Sequence, residues 1–146
     1  MVADKASAAF SAEEKEAMKA AVAEAKRAKQ ADAAAAEAKA VTDAIAAMPT
    51  ADRKIAQKVH ELVLAAAPEL GTRTWYGMPA YTKDGKVVVF FKPAEKFKSR
   101  YTTLGFEDAA ALDDGTFWPT SYAVTAIGPA EEKAITAMVK KAAGVS

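Results

Sequence analysis

Residues Thr72 to Phe91 read TRTWYGMPAYTKDGKVVVFF, a run in which strand-forming and turn-forming residues come in blocks. Thr72 to Tyr76 alternates and is rich in β-branched and aromatic side chains, the composition that suits a half-buried pleated surface. Gly77 and Pro79 interrupt it, and Ala80 to Lys83 resumes. Asp84-Gly85 has the composition of a two-residue hairpin turn with positive φ at both positions. Val87 to Phe91 then forms an uninterrupted apolar run of central-strand character. Within this stretch WYGMPAY, Trp75 to Tyr81, combines large aromatic surface with a backbone path fixed by Gly and Pro, so it reads as a structural corner, a pocket wall, or both.

Downstream, Pro93 ends pairing. Lys96 to Thr103 alternates again, which predicts a strand with Phe97, Ser99 and Tyr101 on one side and Lys96, Lys98, Arg100 and Thr102 on the other. A loop follows with Gly105, Glu107, Asp108, Asp113, Asp114 and Gly115, including a helical turn at Ala109 to Leu112. Ser121 to Ile127 reads as a strand. Gly128-Pro129 opens the last helix, with Pro at its first position, Glu131 and Glu132 at the positive end of its dipole, and Gly144 as its stop. Its buried face is Ile135, Met138, Val139 and Ala142.

Upstream, Ile55, Val59, Leu62, Val63 and Ala66 mark one face of a helix whose N-cap is read as Thr50 and which ends before Pro68. Val41, Ile45 and Met48 form a stripe at helical spacing ending at Pro49. Residues 1–40 are Ala, Lys and Glu with few large side chains. Ser11-Ala12-Glu13-Glu14 reads as a capping box, and alanine propensity carries a helix from there toward residue 39. Only Met18 and Val22 give that helix a sizeable apolar stripe, so it reads as an arm for a partner or as a loosely packed extension. The expected organisation is a helical extension over 1–40 and an α+β domain over 41–146, an antiparallel β-sheet with helices packed on one face.

Composition narrows the functions. The chain of 146 residues has room for one ordinary domain, and 20 Lys plus Arg against 19 Asp plus Glu give no global pull toward nucleic acid or anionic membrane. No Cys is present, which excludes disulfides, thiolate nucleophiles and thiolate metal sites within this chain. The single histidine, His60, flanks an apolar helix face and reads as a surface or half-buried residue rather than a catalytic one. With no second His and no carboxylate dyad evident from spacing, no general acid and base pair stands out, so a non-enzymatic protein is expected. The alanines near the N-terminus are interrupted by Lys and Glu, unlike a signal peptide, and no segment approaches the roughly 18 consecutive apolar residues of a membrane span. Cytoplasmic residence without a membrane partner is therefore expected.

Three groups of residues are site candidates. Glu107, Asp108, Asp113 and Asp114 concentrate carboxylates that could take iron or magnesium weakly through oxygen ligands, or simply initiate turns. The aromatics Trp75, Tyr76, Tyr81 and Trp118 could line a cleft for a small ligand, because neighbouring strand residues face opposite ways and cannot all enter one core. The third is the basic set Arg73, Lys83, Lys86, Lys92, Lys96, Lys98 and Arg100. There the strand alternation places cations opposite Phe97 and Tyr101, which argues against a nucleic-acid platform. Met78-Pro79 could hold a cis bond, but X-Pro bonds are cis in only about one case in twenty, so a cis bond is not assumed and the sequence leaves the isomer open.

WYGMPAY at Trp75 to Tyr81, KDGK at Lys83 to Lys86, VVVFFKPAEKF at Val87 to Phe97, RYTTLGF at Arg100 to Phe106, LDDGTFWP at Leu112 to Pro119 and the closing EEK at Glu131 to Lys133 together resemble the YdhG-like family of bacterial domains of unknown function. FSAEEKEAMK at Phe10 to Lys19 is similar to an extension found in a subset of that family. The resemblance implies an α+β fold, a cytoplasmic location and no established catalytic residues. Some relatives are described as frataxin-like iron chaperones, so it also implies iron binding or delivery. Frataxin-type binding uses an acidic ridge, whereas the helix after Thr50 mixes Asp52 and Glu61 with Arg53, Lys54 and Lys58. Functions of three kinds remain open at this point: iron handling, small-molecule binding at an aromatic cleft, and protein interaction through the N-terminal helix.

Overall fold

The computed structural model describes residues 11–145; residues 1–10, with Phe10 of the N-terminal phrase, and Ser146 lie outside the description. The chain divides into two units, one ending at Ala35 and one beginning at Ala36. Helix α1 spans Ala12–Ala46 and runs across that division. The Ser11 hydroxyl accepts the Glu14 N–H at 3.1 Å, so the start of the helix is capped as its sequence suggests. The expected stop near residue 39 is absent: Ala40-Val41 is a change of composition, not of backbone preference, and with no Gly or Pro before Pro49 the helix continues. Residues 12 to 35 are exposed except for Ala23, which is intermediate. Further on, Val41, Ile45 and Met48 are buried in the core of the second unit.

That unit is α2 (Thr50–Ala66), five strands β1 (Gly71–Trp75), β2 (Met78–Lys83), β3 (Lys86–Lys92), β4 (Thr102–Phe106) and β5 (Ser121–Val124), and α3 (Pro129–Ala143). The sheet is an antiparallel meander in the order β1-β2-β3-β4-β5. One face, carrying Tyr81, Val89, Phe91 and Leu104, is fully buried with Val59 and Val63 of α2 and Val139 of α3, so the helices pack on one side as an α+β layer. A register shift between Tyr81 and Thr82 leaves Val88 as the extra residue of β3 and lets consecutive valines, Val88 and Val89, both bury completely.

Local chemistry explains both agreements and departures. Asp84 and Gly85 have φ of 51° and 77°, the hairpin turn read from their composition. Tyr76 and Gly77 repeat it, with φ of 52° and 75°, and Trp75 pairs with Met78. WYGM is therefore a tight hairpin, and Pro79 does not interrupt a strand. Pairing of β2 with β3 starts only at Ala80, so the N–H that Pro79 lacks is not needed there. The Met78-Pro79 bond is trans.

Thr50 is the first helical residue of α2, not its cap. Pro49 occupies the cap position with φ −55° and ψ 153° and no side-chain bond, while its carbonyl accepts from Arg53 N at 2.8 Å. Of the strand predicted over Lys96 to Thr103, only Thr102 and Thr103 are extended, as the start of β4, and Lys96 to Tyr101 form a loop. Lys98 has φ of 53°, and the turn bonds from Lys98 N to Glu95 O and from Ser99 N to Ala94 O fold the segment back. Nor does Ala109 to Leu112 make a helical turn: one bond from Ala110 N to Glu107 O bends the chain, and Ala110 and Leu112 are buried. In α3, Gly128 N donates to Glu131 Oε1 at 2.9 Å and Gly144 ends the helix at φ 73°. Its last carbonyls gain outside donors, Lys83 Nζ to Ala143 O at 2.7 Å and Ala111 N to Ala142 O at 2.9 Å.

Candidate functional site

The outer face of the sheet, away from the helices, carries a set of aromatics beginning at the WYGM hairpin. Strand parity puts Trp75, Met78, Ala80, Phe90 and Gly105 there. Trp75 meets Phe90 edge to face, with ring centroids 5.4 Å apart, and meets Tyr76 at 5.1 Å. Phe90 lies flat over its cross-strand partner Gly105. A β-carbon there would come within 2.6 Å of Phe90 Cε2 and closer still to Cζ, so the glycine is what admits the ring. At the turn, Tyr76 is 79% exposed.

The 93–101 loop closes the patch with cations. Lys92 Nζ and Lys96 Nζ stand 5.3 Å and 5.7 Å from the centroid of Phe97, and Arg100 is 5.2 Å from that of Tyr101. Lys96 also reaches back toward Gly77 O at 3.5 Å. A β-carbon at Gly77 would collide with the same ammonium. The loop is anchored by Asp52, a buried carboxylate on α2 whose Oδ2 accepts the Glu95 N–H at 3.0 Å. Trp75, Tyr76, Gly77, Lys96, Phe97, Lys92 and Phe90 thus form one continuous circuit of aromatic and cationic surface.

Beside this circuit a cavity of about 430 Å³ opens between the end of α1 and the 93–96 loop, lined by Met48, Pro49, Gly77, Pro93, Glu95 and Lys96 among others. Lys96 and Gly77 belong to both. The expectation that cations and aromatics here face apart is corrected, because it assumed a strand at Lys96 to Tyr101. Without that strand, Phe97 lies beneath Lys92 and Lys96.

The four aromatics expected to share a cleft are divided among three places. Trp75 and Tyr76 lie at the outer hairpin. Tyr81 pairs with Thr72 on the helix-facing side and is fully buried, and Trp118 is half-buried in the loop before β5, against the helix-side core. The Tyr81 hydroxyl lies 2.9 Å from His60 Nδ1. Burial pushes the phenol well above its ordinary range and lowers His60 below its own, so one hydrogen bond joins a protonated phenol to a neutral ring, its direction set by the tautomer. The pair fastens α2 to the sheet.

Glu107, Asp108, Asp113 and Asp114 all stay exposed in the loop after β4. Three of them, Glu107, Asp108 and Asp113, border one recess of about 550 Å³ together with Trp118, and Asp114 does not. Gly115, with φ 69°, completes the Asp113-Asp114-Gly115 turn. Among the described residues, no three His, Asp or Glu side chains come together as a metal-holding group. No described helix is long and apolar enough to cross a membrane.

Sequence reasoning missed Phe90, Lys92, Lys96 and Phe97 as members of one site. The available signal was Phe90 opposite a strand glycine, a pairing that forces the ring to lie flat. No protein-family model, curated protein or solved structure matches this chain.

Proposed function

We propose that this chain is a YdhG-like binding protein, not an enzyme, and that it takes a small planar anion at the Trp75, Tyr76 and Lys96 circuit. One observation carries the reading: stacking surface and unneutralised ammonium groups converge where a cavity already opens. Trp75 and Tyr76 offer ring faces and edges to a planar group, while Lys92 and Lys96 answer its charge. Among the described residues Glu95 is the one carboxylate lining the cavity and no His, Ser or Cys lines it with Glu95, so recognition rather than turnover is the chemistry proposed for this surface. Iron delivery, the family-derived alternative, rests on loop carboxylates that supply no three-ligand group among the described residues.

The test is a titration of nucleoside monophosphates and aryl carboxylates followed by tryptophan fluorescence. Quenching is expected in the wild type and in Trp118→Phe, and is lost in Trp75→Phe. Lys96→Ala weakens binding about tenfold. No quenching up to millimolar ligand, or quenching that follows Trp118 instead, sinks the proposal. Ferrous iron broadening the amides of Glu107, Asp108, Asp113 and Asp114 would restore the iron reading.

A further inference from the structure

We propose that the free edge of β5 pairs with the β5 of a second copy of this chain, the two strands running antiparallel about Ala123. Phe106 N donates to Thr120 O at 2.8 Å, so Thr120 turns its carbonyl toward β4. By strand alternation Tyr122 and Val124 do the same, which directs the N–H and C=O groups of Ser121 and Ala123 outward, with Thr125 at the bend just past the strand. Ser121 and Ala123 are exposed, and among the described residues none of their backbone groups enters a bond outside the regular elements. These are the groups that a hydrogen-bonded antiparallel pair exchanges.

A two-fold axis at Ala123 sets Ala123 against its own copy, Ser121 against the partner's Thr125, and Tyr122 against the partner's Val124. Each pairing keeps its face. Two alanines meet on the outer side, and an aromatic meets a β-branched residue on the helix side, a favourable cross-strand pair. Beside Tyr122 and Val124 lies a cleft of about 360 Å³, floored by Leu104 and walled by Ile135 and Met138, and the partner's Tyr122 falls at its mouth. Ser121 and Ala123, on the strand's outer edge, are exposed. The loop entering this edge carries Phe117, 90% exposed.

Charge identifies the occupant as a second copy. Thr120 to Ile127, TSYAVTAI, holds no charged residue and no proline. In an isologous pair any charge near the axis meets its own like, so neutrality of the strand is what self-pairing requires. Sheet edges are ordinarily protected by Lys, Arg, Pro or bulges. The opposite edge strand, β1, has the exposed Arg73 at its centre. β5 has no such residue and is limited only by its length of four residues.

The experiment is sedimentation equilibrium on the full chain from micromolar to several hundred micromolar, with amide hydrogen exchange at both ends of that range. A dimer is expected, with protection of the Ala123 amide rising with concentration. Ala123→Pro removes only an outward-facing N–H, which a lone edge strand tolerates, and is expected to abolish the dimer without changing the circular dichroism spectrum. Ala123→Lys places like charges across the axis and raises the dissociation constant roughly fivefold to tenfold, more at low salt. A chain that stays monomeric throughout overturns the proposal. So does a dimer that survives both substitutions, or one that is lost only when residues 1–35 are removed.

Discussion

Replacing Gly105 by alanine tests whether the outer aromatic surface is built as described. The added methyl would sit inside the Phe90 ring, and the ring must swing off β4 and leave Trp75, now 5.4 Å away centroid to centroid. Overpacking of this kind costs about 1–3 kcal/mol. With a urea m-value of ~1.5 kcal/mol per M, the midpoint falls by roughly 0.7–2 M. The informative comparison uses Phe90→Ala as background. Gly105 has no positive φ, so once the ring is gone an alanine should be tolerated, or stabilise by about 0.5–1 kcal/mol through lower backbone entropy in the unfolded chain. The sign of the Gly105→Ala effect thus inverts between the two backgrounds. Urea denaturation of the four proteins, read by far-UV circular dichroism to avoid confusion with tryptophan signals, measures the cycle. Equal costs in both backgrounds would show that something other than Phe90 demands the glycine, and the account of the circuit would fail with it.

Other tests are simpler. Tyr81→Phe is expected to cost about 0.5–1.5 kcal/mol in urea unfolding, the loss of a partly buried hydrogen bond to His60. His60 titrates below its ordinary value when folded, so between that folded value and about pH 6.5 the unfolded chain binds more protons. Stability should therefore fall as pH drops below about 6.5, and urea midpoints of His60→Gln should lose that part of the slope; an unchanged slope would place the titrating group elsewhere. Asp52→Ala leaves the Glu95 N–H without its acceptor and should cost about 1–3 kcal/mol, with faster amide exchange at Glu95 and Lys96. Removing residues 1–35 should leave the urea midpoint of the sheet domain unchanged, because residues 12 to 35 lie almost wholly in solvent; a shift would show that they contribute to its packing.

How much of this was legible in the sequence follows from where the information resides. Asp84-Gly85, the Gly128-Pro129 start with Glu131 and Glu132 in the first turn, and the spacing of Val59 and Val63 are local signals, and each matches the structure. The α+β layering followed from their order. What failed depended on partners distant in sequence. Alternation at Lys96 to Tyr101 suits a strand, yet the segment has no neighbour to pair with, and Lys98 turns into the left-handed region. Pro79 reads as a break until the point where β2 begins pairing with β3 is known. The site was less legible than the fold. Trp75 and Tyr76 stood out by composition, but grouping them with Tyr81 and Trp118 ignored that Tyr81 pairs with Thr72 on the other face. Lys92, Lys96 and Phe97 come together only through a loop whose anchor, Asp52, is on another element.

The meander order of the sheet also bears on how the chain reaches its native state. Every strand pairs with the strand next to it in sequence, so the sheet can assemble by short loop closures, the circumstance that favours fast folding. The exception is α3, which must return to α2 across all five strands. A chain emerging from its N-terminus can therefore form its hairpins early, but their helix-facing side stays half-covered until Ile135 and Val139 are made. Commitment to the folded state waits on the final helix, and a truncation within α3 is expected to leave a sheet with an exposed apolar face that aggregates instead of a smaller stable domain.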